Sequence, residues 1–357
     1  MTRLAPAAVA ALAVAWACGG GAAPRGADGA ATSGADVRVV EERWLSVRDT
    51  LWDVDTPALW HDGTSSIVLV TGKGTHDLQM FDGSTGERLG ALGRQGTARG
   101  DFDRPNGVIV VGDYALVVER DNHRVQVLGM PDGASLGTFG ASELRYPYGL
   151  AAYGTPDDLT VWVTDDYEDV EDVVPDDLTK RLHRFEVALY GRSSPDVLRH
   201  RTYGERRGPG SLRVVESIQV DPETQTVFVA DESRRSYLEY DGDGTYRGRA
   251  LGAGDIAGDP EGLVLVRCGA DAGYWVATDQ QEDVTLFRVY DRVSLDPVAV
   301  FRGAVTANTD GTTFAPGPVP GFPDGVLYAV HDDQAISAFD WADVTRATGL
   351  RGDCGRW

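Results

Sequence analysis

The chain has 357 residues, 42% of them hydrophobic, enough apolar material for the core of one large domain or two average ones. Its 55 Asp and Glu outnumber 33 Lys and Arg, for a formal net charge of −22. Such a surface repels phosphate backbones, which argues against nucleic acid as a partner, and it draws cations instead.

The first segment, MTRLAPAAVAALAVAWAC (1–18), carries one Arg, an apolar run of signal-peptide length and small residues before Cys18. It is too short to span a bilayer. Its ending, Ala15-Trp16-Ala17-Cys18, resembles the lipobox of bacterial lipoproteins, which implies lipidation of Cys18. The expectation is an exported lipoprotein of the bacterial cell envelope, periplasmic or on the outer surface, with plain secretion as the alternative. Residues 19–36 hold little that can pack and read as a flexible tether. Cys268 and Cys354 remain; in an oxidising compartment they could pair and staple the tail at 346–357 to the body, a pairing the sequence leaves open.

From residue 37 to 345 the pattern is short strands and turns. Runs such as IVLVTG (67–72), YALVVER (114–120), LTVWVTD (159–165), TVFVADE (226–232), GYWVATD (273–279) and GVLYAVHD (325–332) are β-branched and aromatic, bounded by Gly, Asp and Pro. A strand with its own opening precedes most of them, as in DTPALW, DRPNGVIV, RYPYGLAAY, VESIQVD and GDPEGLVLV, and a third follows. Pro57, Pro105 and Pro147 recur at propeller-blade spacing, as do Glu216 and Pro260. The one long gap contains DDYEDVEDVVPDDLTKR (165–181), an acidic insertion read as a loop. Six units fit, so the predicted fold is all-β, a six-bladed β-propeller. VRVVEERWLSV (37–47) is placed to complete the last blade and close the ring.

In a propeller the inner strands line the axis, so equivalent residues of different blades converge. Those strand entrances carry Asp55, Glu216, Asp259, Glu261 and Asp310. If Asp259 and Glu261 shared one strand face, two carboxylates about 5 Å apart would repel by roughly 3 kcal/mol at an effective dielectric near 20. Bound calcium, which takes six to eight oxygen ligands, would relieve that repulsion. The alternative is that some of these residues only cap turns, as Asp before Pro commonly does.

DTPALW, VTGKGTHDLQMFD, YPYGLAAY, GDPEGLVLVR, GYWVATDQQ…FRVYDR and FPDGVLYAVHDDQ occur in an order that resembles the β-propeller phytases, over roughly residues 53–341. The resemblance implies a calcium-dependent, 3-phytase-like phosphoric monoester hydrolase that releases phosphate from phytate (myo-inositol hexakisphosphate) by metal-activated water. It implies Asp55, Glu216, Glu232, Asp259, Glu261 and Asp310 as calcium ligands, and Lys73, Arg120 and Tyr148 as the catalytic phosphate-binding set. The expected protein is a monomer that meets the membrane only through its lipid anchor. Three positions depart from the family: Thr56 replaces the second Asp of its Asp-Asp-Pro, Asp165-Asp166 stands where it has Lys, and Thr312-Thr313 replaces a second Asp after Asp310.

A second resemblance competes. RPNGVIVVGDYALVVERDNHRVQV is similar to an NHL repeat, which implies a non-catalytic binding propeller at the cell surface with Arg120 and Arg124 as structural ties. GASLG (133–137) fits the nucleophile-elbow pattern but lies between strands, and the six His show no zinc spacing.

Overall fold

The computed structural model describes residues 36–170 and 173–356. Cys18, the expected signal segment and the tether up to residue 35 lie outside the described residues. Six β-sheets follow one another along the chain, and each inner strand touches the next, the sixth returning to the first. The fold is a six-bladed β-propeller. Its inner strands are Val54–His61, Pro105–Val111, Pro147–Thr155, Val215–Asp221, Leu263–Arg267 and Thr312–Ala315.

Hydrophobic clusters join neighbouring blades. Val68, Val70 and Phe81 of the first pack against Val326, Tyr328 and Ile336 of the sixth, and equivalent layers fill the other joins. The second and third strands, such as Tyr114–Glu119 and Arg124–Gly129, are buried almost throughout, which is why they read as continuous apolar runs. Outer strands such as Asp196–Tyr203 are mostly exposed and carry no such signal.

Ring closure uses the N-terminal segment in two pieces. Trp44–Leu45 pairs antiparallel with Ala335–Asp340 as the outer strand of the sixth blade. Arg38–Val40 instead runs parallel to Pro297–Gly303 and adds a fifth strand to the fifth blade. Only half of the expected closing strand therefore serves the last blade. The helix Trp341–Thr348, capped by Asp340 on the Ala342 N–H and ended by Gly349 at φ 79°, runs across the boundary expected at residue 345. Beyond it Cys354 is disulfide-bonded to Cys268, at the end of the fifth inner strand.

A clasp recurs where the second strand of a blade ends. Glu119 accepts the Asp103 N–H and pairs with Arg124; Asp165 accepts the Arg145 and Tyr146 N–H groups and pairs with His183. Asp231 and Asp279 hold Arg213 and Ala257–Gly258 in the same way, with Arg234 and Arg288 as their cations. Each clasp fixes the loop that enters the next layer of structure, the inner strand.

Cys354→Ser is expected to cost up to about 4 kcal/mol, because the lost bridge spans 86 residues, and guanidinium unfolding checks this. Gly149→Ala should cost about 1–3 kcal/mol in the same assay, since its Cβ would lie 2.7 Å from the Glu216 carbonyl oxygen.

Candidate metal centre on the propeller axis

Inner strands enter through β-bulges. In the first four blades two residues on the inner strand oppose one on its neighbour: Asp55-Thr56, Asn106-Gly107, Tyr148-Gly149 and Glu216-Ser217. In the fifth the extra residue falls between Asp259 and Leu263, with Gly262 accepting the Thr278 N–H. In the sixth, Gly311 accepts the Val330 N–H in the same way. The first bulge residue of each blade is thus Asp55, Asn106, Tyr148, Glu216, Glu261 and Asp310, one ring around the axis. The second is small because it abuts the next blade: a Cβ on Gly262 would meet Thr312 Oγ1 at 2.4 Å. Asp55, Tyr148, Glu261 and Asp310 line a cavity of about 350 Å³ that also touches the inner strands.

One arc of the ring is internally neutralised. Lys73 Nζ lies 3.1 Å from Asp55, 3.2 Å from Asp310 and 3.7 Å from Asp53, with its side chain only 10% exposed. Burial disfavours the ammonium, but Asp55, Asp310 and Asp53 outweigh it and raise its pKa above the ordinary lysine value. The Tyr148 hydroxyl donates to Asp55 Oδ2 at 3.1 Å, and burial together with the surrounding carboxylates keeps the phenol protonated. Thr56 Oγ1 donates to Asp55 Oδ1 at 2.7 Å, so the residue that replaces the family's second Asp acts as a donor here. Burial pushes Asp310 up to about 7 despite Lys73, and Gln280 Nε2 donates to its free oxygen at 2.5 Å.

Among the described residues the opposite arc has no such counter-charge. Glu216, Glu232 and Glu261 bring carboxylate oxygens within 4.8 Å of one another, and Glu216 Oε2 is buried without a hydrogen-bond partner. Burial first, then mutual repulsion, drives Glu216 and Glu261 well above the usual carboxylate range; burial likewise raises Glu232. An all-oxygen, multiply anionic donor set suits a hard cation such as calcium.

Other predicted residues lie apart. Asp259 is exposed and bridges Gln280 through the backbone, outside the strand that begins at Leu263. The bulge interrupts the two-residue period between Asp259 and the strand, and Asp259 raises the pKa of Glu232. Arg120 turns over the Tyr146 ring at 5.2 Å and lies 3.7 Å from Asp121; these described contacts do not join it to Lys73 or Tyr148. Asp166 is anchored by Arg181 at 3.1 Å and by the Val215 N–H, and burial pushes it up to about 6. Asn106 is the ring residue that sequence reasoning missed. Its signal was present: Pro-x-Gly recurs as Pro105-Asn106-Gly107, Pro147-Tyr148-Gly149 and Pro260-Glu261-Gly262, and x is the ring position each time.

No known protein family matches the chain, and no curated protein matches it in sequence. Solved structures match in fold. A chain of Kuenenia stuttgartiensis hydrazine synthase aligns with a TM-score of 0.50 at 13% identity, covering 86% of this chain and 82% of its own. Regucalcin from Agrobacterium tumefaciens, described as a calcium-binding protein, aligns with a TM-score of 0.52 at 12% identity, covering 85% of this chain and 97% of its own. At such identities the likeness establishes the propeller fold.

Carboxyls raised by burial hold their protons longer folded than unfolded, so they lend stability below the ordinary carboxyl pKa and withdraw it as pH rises through the folded value. For Asp166 and Asp310 that window runs from about 4 to about 6 and about 7, and the glutamates extend it upward. Metal-free protein should therefore lose several °C of Tm between about pH 5 and about pH 8, with calcium reversing the loss and Glu261→Gln flattening it. Thermal unfolding followed by circular dichroism checks all three.

Proposed function

We propose that the chain is a calcium-dependent phosphomonoester hydrolase of phytase type, exported, anchored through Cys18, monomeric and acting on phytate or a related inositol phosphate. The observation that carries this reading is the pairing, on one ring, of an uncompensated carboxylate trio with a buried Lys and a neutral Tyr hydroxyl. The order of the phytase-like motifs and the calcium-binding description of the structurally similar regucalcin support it.

Glu216, Glu232 and Glu261 would hold the calcium, with Asp259 at the edge of the trio. When bound, calcium supplies positive charge to phosphoryl oxygens and lowers the pKa of water. Lys73 adds a fixed ammonium at the ring, held by Asp55 and Asp310. Tyr148 keeps its proton, which it gives to Asp55 Oδ2, and so holds that carboxylate in place beside Lys73. The clasps behind the bulges hold these groups in place before any ligand arrives, which spares reorganisation.

A non-catalytic NHL-like binding propeller is the second reading. One observation favours it: Arg124 is a buried tie, bonding Glu119 and the carbonyls of Thr97, Ala98 and Asp101, while Arg120 stacks over the Tyr146 ring.

Phosphate release from phytate by the purified protein separates the two. The hydrolase reading expects release with calcium, none with EGTA, and a loss of at least about a hundredfold in Glu261→Gln. Calcium binding without release would favour the binding module, and no response to calcium at all would remove the metal centre.

A further inference from the structure

Asn106 is fully buried, yet neither its Nδ2 nor its Oδ1 has a hydrogen-bond partner. Buried amides are rarely left so, because an unmade hydrogen bond costs more than a made one contributes. The backbone does not explain it. Thr71 Oγ1 donates to the Asn106 carbonyl at 2.6 Å, as Thr164 Oγ1 does to the Glu216 carbonyl at 2.8 Å and Ser217 Oγ to the Glu261 carbonyl. Asn106 therefore shares both the bulge position and the inter-blade hydroxyl contact of two ring glutamates. That equivalence aims its side chain at the axis, between the ring positions of Asp55 and Tyr148.

We infer that Asn106 is a ligand-binding residue of the ring, whose amide N–H donates to an oxyanion seated beside Lys73 and Tyr148. The inference rests on the phosphomonoesterase reading and names a substrate contact within it. A second cation is the poorer occupant at this place, because Lys73 already lies 3.1 Å from the neighbouring Asp55 and would repel it. An oxyanion gains an ammonium and an unpartnered amide N–H together. The amide supplies its donor without adding a charge that would pair with Asp55, so it discriminates by geometry.

Isothermal titration of the calcium-loaded full chain with inorganic phosphate tests this. Asn106→Leu, similar in shape but without polar atoms, should bind phosphate at least about tenfold more weakly while keeping its calcium affinity, with a Tm no lower than that of the parent. Asn106→Asp, nearly isosteric, should lose more, because a carboxylate repels phosphate; it decides the matter if the Leu variant fails to fold. Phosphate affinity unchanged in either folded variant would overturn the inference alone and leave the amide to an internal water. If the parent chain binds calcium but no phosphate, the oxyanion contact and the hydrolase reading fall together.

Discussion

Six strand entrances converge on one axis, so a charge carried by any first bulge residue acts on its neighbours around the ring. Four of the six positions are carboxylates, and at such spacing in a partly desolvated site each repulsion is worth several kcal/mol. The molecule meets this in two ways. Around Asp55 and Asp310 a lysine from the adjoining second strand is built in as a permanent counter-charge. Around Glu216, Glu232 and Glu261 the described residues supply none, and the side chains respond by raised pKa values. A propeller with one self-sufficient arc and one unsatisfied arc presents an axis that is electrostatically lopsided, and a ligand with both a cation and an anion to place would bind in one orientation.

The repeated clasp explains how such a ring survives. A buried carboxylate at the end of the second strand, paired with a cation from the same blade, holds the loop before the bulge by its N–H groups. Breaking a buried pair of this kind strands a charge, so each clasp resists rearrangement even where its net contribution to stability is small. In the sixth blade His331 takes the acceptor's place, receiving the Ala307 N–H on Nδ1. In two blades the architecture separates two duties: Asp231 and Asp279 anchor, and the next residues in sequence, Glu232 and Gln280, meet the ring carboxylates.

That separation also marks what the sequence could reveal. Strands buried on both faces are near-continuous apolar runs, and they gave the blade count; the outer strands, wet on one side and irregular, gave nothing. Asp55, Glu216, Glu261 and Asp310 were legible because they stand at recurring strand entrances. Asp259 stands before the fifth inner strand and not on it, because one extra residue intervenes between its bridge to Gln280 and Leu263. Lys73 and Arg120 occupy equivalent places after their second strands but turn differently. Asp55, Asp310 and Asp53 surround the first, whereas the second meets Tyr146 and Asp121. Asn106 carries no charge and an Asn before Gly looks like a turn, so its place in the Pro-x-Gly series stands out once the register aligns it with Glu216.

Ring closure carries a consequence for how the chain reaches this state. Trp44 pairs with Ala338 and Arg38 with Phe301, so the first strands made are the last to find their partners. Blades built from consecutive strands can form as synthesis proceeds, but the fifth and sixth stay incomplete until nearly the whole polypeptide is available. Until then Arg38–Val40 and Trp44–Leu45 wait without partners, and unpaired strands of this kind are the ones an extended segment of another chain could join.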